Sequence, residues 1–329
     1  MTNNKISSRS CLWVMAVAAA AMFVGCDKKP ASTAGSGIAR VACDKTFENI
    51  LQQEIDVYEY QYPKANIMPY YVDEKAALDS LLNIGDVKTI IIPRRLNEKE
   101  LKYLKSKDRN VRQQMIAVDA IALITNPQNK FNEPLSRNDL ARILSGEIKR
   151  WNELGPSNAG NIKVVFEHQG SSTVQYMQDS IMNGAKFAPN VYVVKTPQEV
   201  FAAVKDDPDA LGVIGVSWIS SDLNVRELDT SELYDHFNNT SEINQVFNDS
   251  INVLAVRPDD SPLARKPYQA YIFDGTYPLF RQMWMITTAP GGSLASGFYA
   301  FVTGPLGQKL IQSTGVLPAI VTPRRVSLD

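Results

Sequence analysis

The sequence predicts an α/β fold built as two lobes with a ligand cleft between them. Short apolar runs suited to buried strands alternate along the chain with stretches in which apolar residues recur at helical spacing. At 329 residues the chain has room for two domains of ordinary size. Polar turns rich in Ser, Thr and Arg follow several predicted strands, at the edge where open α/β sheets bind ligands. The fold class therefore already predicts a binding cleft.

Composition excludes several functions. The formal net charge is -1 and no long basic tract occurs, so nucleic acid is not an expected partner. Beyond the first 26 residues only Cys43 remains, and a single thiol can form neither an internal disulfide nor a zinc site. We expect no metal and no cofactor.

Residues 1–25 predict a secretion signal. Lys5 and Arg9 precede an apolar run from Cys11 to Val24 that is too short for a comfortable membrane span. The run ends in V-G-C, which resembles the lipobox of bacterial lipoproteins, so Cys26 is expected to be acylated and to become the mature N-terminus. Residues 26–37 then form a polar, flexible tether. The interpretation is a periplasmic lipoprotein anchored to the inner or outer membrane, and the alternative is an ordinary secreted protein.

The first part of the predicted domain contains three strands and two helices. Strands are predicted at Ile38–Cys43, Asn66–Val72 and Val87–Ile92. Apolar residues at helical spacing predict a helix from Phe47 to Tyr62 and a shorter one at 77–82. The last of these strands runs directly into Arg94 and Arg95, of which Arg95 is expected to face solvent.

The middle of the chain predicts a long strand and a well-capped helix. Ile116–Thr125 is the strand. In the helix that follows, Ser136 and Asp139 are expected to cap the start, and Gly146 is expected to end it.

A second series of strands and helices follows. Strands are predicted at Val191–Val194, Leu211–Trp218, Asn252–Val256 and Gln282–Thr288, with a helix through Val204 and two closing helices after Gly297. The Asn- and Ser-rich stretch from Ser220 to Ser250 predicts a surface excursion rather than core.

The candidate site centres on Asn161–Gln178. An apolar strand, 162–166, stops at a polar turn around Gly170, and Ser172 with Gln175 fits a capping box for the helix that follows. The free N–H groups and hydroxyls of Gly170, Ser171, Ser172 and Thr173 would then meet at a helix N-terminus, which attracts anions. The alternative interpretation of this local pattern is an ordinary capped helix.

This loop resembles the central loop of PstS-type phosphate-binding proteins, the receptors of phosphate ABC transporters. That loop usually reads R-S-D-G-S-G-T-T, and the glycine, serine and first threonine are retained here as Gly170, Ser171 and Thr173. Pro134–Trp151 matches most of the specified positions in the family pattern L-S-x-x-x-L-x-x-I-F-x-G-x-x-x-x-W. Residues 275–281 match G-x-Y-P-L-x-R, and the resemblance extends over about residues 38 to 320.

The resemblance implies a type II periplasmic binding protein fold. Lobe I would comprise 38–118 plus 280–329, and lobe II would comprise 119–279, with Asp119 at the hinge. The expected ligand-binding residues are Thr46, Arg94, Gly170, Ser171, Ser172 and Thr173, with Lys45, Asp119 and Gln169 as further candidates. The implied partners are phosphate or another small anion and the permease subunits of an ABC transporter, which a monomer would serve.

Two positions depart from the family and keep the ligand open. Glu167 and Gln169 replace the arginine and aspartate of the family loop. A carboxylate in place of a guanidinium predicts weaker or less selective phosphate binding, or a different oxyanion or carboxylate. The same departures keep a second hypothesis open, in which the chain is a periplasmic adaptor or envelope-complex component with altered or lost ligand binding.

An enzyme is not expected. The chain has two histidines and none of the G-x-S-x-G, H-E-x-x-H or paired-cysteine motifs. His168 could act as a base for Ser171, but the sequence offers it no evident acidic orienter.

Overall fold

The computed structural model describes residues 32–222, 227–239 and 244–321. The predicted signal, Cys26 and most of the tether lie outside these ranges. The described residues from Thr33 onward form a single compact unit. Across the described ranges, no helix combines the length and apolar character that crossing a membrane requires.

Strands and helices alternate, which confirms the predicted α/β class. The strands are β1 Ser36–Asp44, β2 Lys64–Val72, β3 Val87–Ile92, β4 Arg112–Thr125, β5 Leu135–Ser136, β6 Lys163–Phe166, β7 Val191–Val193, β8 Ala210–Gly215, β9 Ser220–Asp222, β10 Gln245–Phe247, β11 Asn252–Val253, β12 Val256–Arg257, β13 Phe280–Thr287 and β14 Leu317–Pro318. The helices are α1 Glu48–Gln61, α2 Glu74–Asn83, α3 Glu98–Ser106, α4 Arg137–Leu144, α5 Ser172–Tyr176, α6 Pro197–Asp206, α7 Thr230–Asn239, α8 Gln269–Phe273, α9 Leu294–Val302 and α10 Pro305–Ser313.

One curled sheet in the order β2-β1-β3-β13-β4-β8-β6-β7 organises the chain. In its first section, β1 pairs in parallel with β2 and β3, and β13 runs antiparallel between β3 and β4. In its second section, β6 pairs in parallel with β7 and β8, and β8 runs antiparallel to β4.

Strand β4 joins the two sections because it changes partner midway. Its residues 112–120 pair with β13, whereas Ile121–Thr125 pair with β8. The strand is buried without interruption from Asp119 to Thr125, as is typical of a sheet covered on both faces. This arrangement brings the carboxyl ends of β1 and β6 toward each other across the sheet.

Periodicity predicted most of these elements well. The predicted strand at Val87–Ile92 has the observed bounds, and the capping box of Ser136 and Asp139 on α4 is confirmed by hydrogen bonds in both directions. Gly146 follows α4 with a φ of 74°, a conformation that glycine adopts without the cost of a Cβ.

Three predictions about individual elements were wrong in detail, and one helix was not predicted. The strand predicted to reach Trp218 ends at Gly215 and continues as a short 3-10 helix. The strand predicted at Asn252–Val256 is two short strands, β11 and β12. Helix α3 was missed because EKELKYLKS carries only a narrow apolar stripe, with Leu104 alone fully buried. The stretch from Ser220 to Ser250 is more than surface, because it contains α7, whose Phe237 packs with Val57 of α1.

Candidate functional site

A buried group of polar side chains lies where β1, β4, β6 and β13 converge. We call it the polar cluster, and each of its members is at most 5% exposed. The members are Asp44, Thr46, Asp119, Glu167, Ser172, Thr173 and Arg281. They come from well-separated parts of the sequence, so only the fold brings them together. Buried polar groups require partners, and the hydrogen bonds among these side chains provide most of them.

Arg281 is the centre of the polar cluster. Its Nε and Nη2 donate to Oδ2 of Asp119 at 3.2 and 2.8 Å. Its Nη1 donates to the hydroxyl oxygens of Ser172 at 2.6 Å and Thr173 at 2.9 Å. The guanidinium also lies 4.7 Å from the ring centroid of Phe47, a cation–π contact. The arginine therefore links β13 and β4 to the start of α5.

The hydroxyl groups of the polar cluster donate to the chain's own carboxylates. Asp44 Oδ1 accepts from the backbone N–H of Thr46 at 3.0 Å and from its hydroxyl at 2.6 Å. Ser172 Oγ lies 3.1 Å from the same oxygen, and Thr173 Oγ1 donates to Glu167 Oε1 at 2.6 Å. The second oxygens of Asp44 and Glu167 are buried without a hydrogen-bond partner among the described residues.

Burial changes the protonation of these carboxyls. It raises the pKa of Glu167 to about 7, although Arg281 and the Thr173 hydroxyl favour the ionised form. Burial also raises the pKa of Asp119, against the opposing effect of the paired Arg281. Near neutral pH, Glu167 is therefore divided between its protonated and ionised forms.

A cavity of about 180 Å³ adjoins the polar cluster. Its wall is formed by Lys45, Thr46, Glu48, Glu167, His168, Lys195, Thr196, Pro197, Gln198 and Trp218. Neither lysine forms an ion pair with a carboxylate of the described residues. The wall thus combines two lysines without ion-pair partners within the described ranges and the carboxyls of Glu48 and Glu167, and the size of the cavity suits a small ligand.

Hydrogen bonds join the two sheet sections beside this cavity. Trp218 Nε1 donates to the carbonyl of Thr46 at 3.1 Å. Asn49 Nδ2 donates to the carbonyl of Ser217 at 2.7 Å, and the Ser217 hydroxyl lies 3.1 Å from Asn49 Oδ1. These contacts connect the start of α1 and the residues just before it to the segment that follows β8. The cavity is therefore covered on this side.

The structure brings together several of the residues predicted from the sequence. Thr46, Ser172, Thr173 and Asp119 all lie in the polar cluster, and Lys45 lies in the cavity wall. The sequence reasoning was wrong about the cap of α5: Ser171, not Ser172, is the N-cap, and its hydroxyl accepts from the N–H of Val174 at 3.1 Å.

Two other loop residues lie outside the cluster. A Cβ on Gly170 would come within 2.6 Å of the Asp73 carboxylate, so the glycine allows this close approach. Gln169 is exposed on the loop. Whether either contacts a ligand stays a prediction.

Arg94 is not brought to the polar cluster. Its Nε donates to Glu74 at 2.7 Å, and Nη1 and Nη2 donate to the two oxygens of Glu100 at 2.9 and 3.0 Å. Sequence reasoning placed Arg281 in a family motif but gave it no role in binding. One signal was present: Arg281, Met283 and Met285 alternate on the buried face of β13.

The surroundings of His168 differ from expectation. Its Nδ1 lies 3.3 Å from Asp73 Oδ1, so the acidic neighbour that the sequence did not reveal is provided by the residue before α2. Burial lowers the pKa of His168, which keeps the ring neutral near pH 7. The Ser171 hydroxyl is engaged as a helix cap. Among the described residues, no group of three or more His, Cys, Asp or Glu side chains could hold a metal ion.

Comparison with known proteins gives a family match over most of the chain. Residues 28–305 match the family model described as a PBP superfamily domain. The phosphate-binding protein PstS of Borreliella burgdorferi is 23% identical over 220 residues, which is 64% of this chain and 67% of that protein.

Solved structures share the fold. One is the Clostridium perfringens protein described as a candidate substrate-binding protein of a phosphate ABC transporter, determined with bound phosphate. It has a TM-score of 0.63 at 18% identity and covers 86% of this chain and 100% of its own. An ABC-type phosphate transport receptor from Vibrio cholerae has a TM-score of 0.59 at 20% identity, with coverage of 86% and 100%. These likenesses confirm the predicted two-lobed α/β fold.

Proposed function

Because the chain belongs to the PBP superfamily and is a divergent PstS-type protein, we propose that it captures phosphate or a related small oxyanion for uptake by an ABC transporter. The observation that carries this proposal is the position of Arg281. Its guanidinium is buried and donates to Ser172 and Thr173. Thr46 and Glu167 of the same polar cluster line the adjoining cavity. A buried arginine with converging hydroxyls is chemistry suited to an oxyanion.

The ligand would take over hydrogen bonds that the chain now makes with itself. Hydroxyl groups rotate freely, so Thr46, Ser172 and Thr173 can turn from Asp44 and Glu167 to ligand oxygens. The lysines at the cavity opening would attract the anion before it enters. In this proposal Arg281 takes the role that the family resemblance assigned to Arg94.

Calorimetric titration of the purified full chain with phosphate tests the proposal. The expected result is saturable binding that Ser172→Ala weakens about tenfold, because the variant loses a hydrogen bond of about 1.4 kcal/mol to a charged ligand. Ser180→Ala, an exposed serine in the helical turn after α5, is the matched control and should bind as the wild type does. Equal affinities in all three proteins would contradict the site.

We also propose that the protein reaches the periplasm as a lipoprotein acylated at Cys26 and works as a monomer with permease subunits. The support is the order of charged segment, apolar run, V-G-C and polar tether. Cys26→Ala should leave the precursor uncleaved or release the protein from membranes, as fractionation and mass spectrometry would detect. A wild-type protein found soluble, with its N-terminus elsewhere, would contradict this.

The proposed lobes are 38–118 with 280–329, and 119–279. The change of partner along β4, from β13 to β8 between Ala120 and Ile121, supports a boundary close to Asp119. The ion pair between Asp119 and Arg281 would then lie at the hinge.

One observation favours the second candidate, an adaptor with altered or lost ligand binding. The hydroxyls of Thr46 and Thr173 already donate to the chain's own carboxylates, and Asp119 already pairs with Arg281. If phosphate and other small anions fail to bind and do not raise the melting temperature, the adaptor becomes the better explanation.

A further inference from the structure

The polar cluster contains more carboxyl groups than cations. Asp44, Asp119 and Glu167 surround one guanidinium, that of Arg281, and all four groups are buried. If every carboxyl were ionised, an entering anion would meet net negative charge. Two like charges ~4 Å apart at an effective dielectric constant of about 20 repel enough to weaken binding about a thousandfold. A site for anions at this position therefore needs a way to remove negative charge.

Glu167 has the geometry to do this. Its Oε1 is fixed by the hydroxyl of Thr173 at 2.6 Å, while Oε2 is fully enclosed and has no hydrogen-bond partner among the described residues. The residue also lies in the wall of the 180 Å³ cavity. A protonated Oε2 would donate a hydrogen bond to a ligand, whereas an ionised one can only accept.

The groups around Glu167 hold its carboxyl between the protonated and ionised forms near neutral pH. Arg281 on β13 and the Thr173 hydroxyl on α5 stabilise the ionised form, while burial and the carboxyls of Asp44 and Asp119 oppose it, and the resulting pKa is about 7. The neighbouring His168 has a lowered pKa and adds no charge. Lys45, Lys195 and Glu48 line the same cavity, and both lysines are exposed.

We propose that Glu167 is the specificity-determining residue of the site: it admits a small tetrahedral oxyanion only with its own carboxyl protonated, so each anion binds together with one proton. This inference rests on the proposed function. In the bound state the Glu167 hydroxyl donates to a ligand oxygen, Arg281 supplies the positive charge, and Asp119 stays paired with Arg281. A carboxyl thus serves as a donor where the family loop has an arginine.

The test counts protons during binding. The full chain is titrated with sulfate, which does not change its charge near neutral pH, and separately with phosphate. Calorimetry at about pH 6 and about pH 8.5, in two buffers with different heats of ionisation, gives affinity and proton uptake. At the higher pH, we expect the wild type to take up about one more proton per bound anion than Glu167→Gln does. Its sulfate affinity should fall about tenfold per pH unit above about pH 7.

Glu167→Gln should bind with an affinity that is independent of pH for sulfate, because the amide donates at every pH. Glu98→Gln, an exposed glutamate of α3, should reproduce the wild type. Equal proton uptake in the wild type and Glu167→Gln would overturn the proposal and leave the proposed function intact. So would a folded Glu167→Gln that binds no anion, since the ionised carboxylate would then be required. Failure of the wild type to bind either anion at any pH contradicts the proposed function itself.

Discussion

Arg281 is a buried charge that pairs with side chains of the protein itself, so its removal should strongly destabilise the folded state. Arg281→Ala would leave Asp119 buried without its cation. We expect a loss of about 3–5 kcal/mol in the free energy of unfolding, measured by urea denaturation. Arg95→Ala, an exposed arginine, should change it by less than about 0.5 kcal/mol.

The pair can also be tested from the other side. Adding Asp119→Ala to Arg281→Ala removes the orphaned carboxyl and should recover part of the lost stability, since the two residues are in contact. An Arg281→Ala variant as stable as Arg95→Ala would contradict the role assigned to this ion pair.

Glu54 predicts a dependence of stability on pH. It is 1% exposed on α1, both carboxyl oxygens lack hydrogen-bond partners among the described residues, and burial raises its pKa well above the ordinary value. The folded protein then keeps a proton that the unfolded chain releases near pH ~4.3, so stability falls as pH rises above that value. Glu54→Gln should remove this contribution to the pH dependence of the free energy of unfolding.

The measurement is the free energy of unfolding in urea at about pH 5 and about pH 8. Glu54→Gln should gain stability relative to the wild type at the higher pH, while Glu133→Gln, at an exposed position, should follow the wild type at both. Parallel pH profiles for the wild type and Glu54→Gln would show that the Glu54 carboxyl does not remain protonated.

At the residue scale, sequence could identify the loop but not the partners of each charge. Thr46, Ser172 and Thr173 follow strands whose ends face the cleft, so their meeting follows from topology. Which arginine joins them depends on packing: Arg94 is held by Glu74 and Glu100, twenty and six residues away, whereas Arg281 returns on the last long strand. Local patterns contain no information on such distant contacts.

Two helices near the C-terminus pack through a glycine. A Cβ on Gly307, in the first turn of α10, would lie 2.6 Å from the carbonyl oxygen of Phe301 and 2.7 Å from the Cα of Val302. These are backbone atoms and cannot move aside cheaply. Gly307→Ala should therefore destabilise the protein by about 1–3 kcal/mol, although alanine alone favours a helix.

Gly291→Ala is the matched control for this prediction. A Cβ there would have no heavy atom within 4 Å, so the change should be within about 0.5 kcal/mol. Thermal or urea unfolding of the two variants gives the comparison. Equal stabilities would mean that α9 and α10 can move apart to accommodate the added methyl group without a loss of stability.

At the element scale, prediction was reliable for segments with strong periodicity and unreliable for short segments. The buried run of β3 and the capped helix α4 have the predicted character because each contains its own signal. No such sequence signal marks the π-helical turn Met177–Ile181 after α5 or the 3-10 turn at Val216–Trp218. Their backbone geometry therefore depends on tertiary contacts.

At the scale of the whole molecule, the two proposed lobes are joined by hydrogen bonds that a mutation can remove. Asn49→Ala would lose both of its bonds with Ser217, each worth about 1 kcal/mol. If the proposed lobes move about β4, this variant should have a larger radius of gyration in small-angle scattering than the wild type, and saturating phosphate should reverse the increase.

The control for opening is Asn66→Ala, at an exposed position on β2. It should scatter as the wild type does with and without phosphate. If Asn49→Ala binds phosphate yet has the wild-type radius in both states, the two lobes do not move as rigid bodies.

A crystal structure of the protein grown with phosphate would test whether Arg281 and the hydroxyls of Ser172, Thr173 and Thr46 form the oxyanion site. We expect phosphate oxygens within hydrogen-bond distance of Arg281 Nη1 and of these hydroxyls, with Arg94 still paired to Glu74 and Glu100. Phosphate bound at Arg94 instead, or an unchanged polar cluster at saturating phosphate, would contradict it.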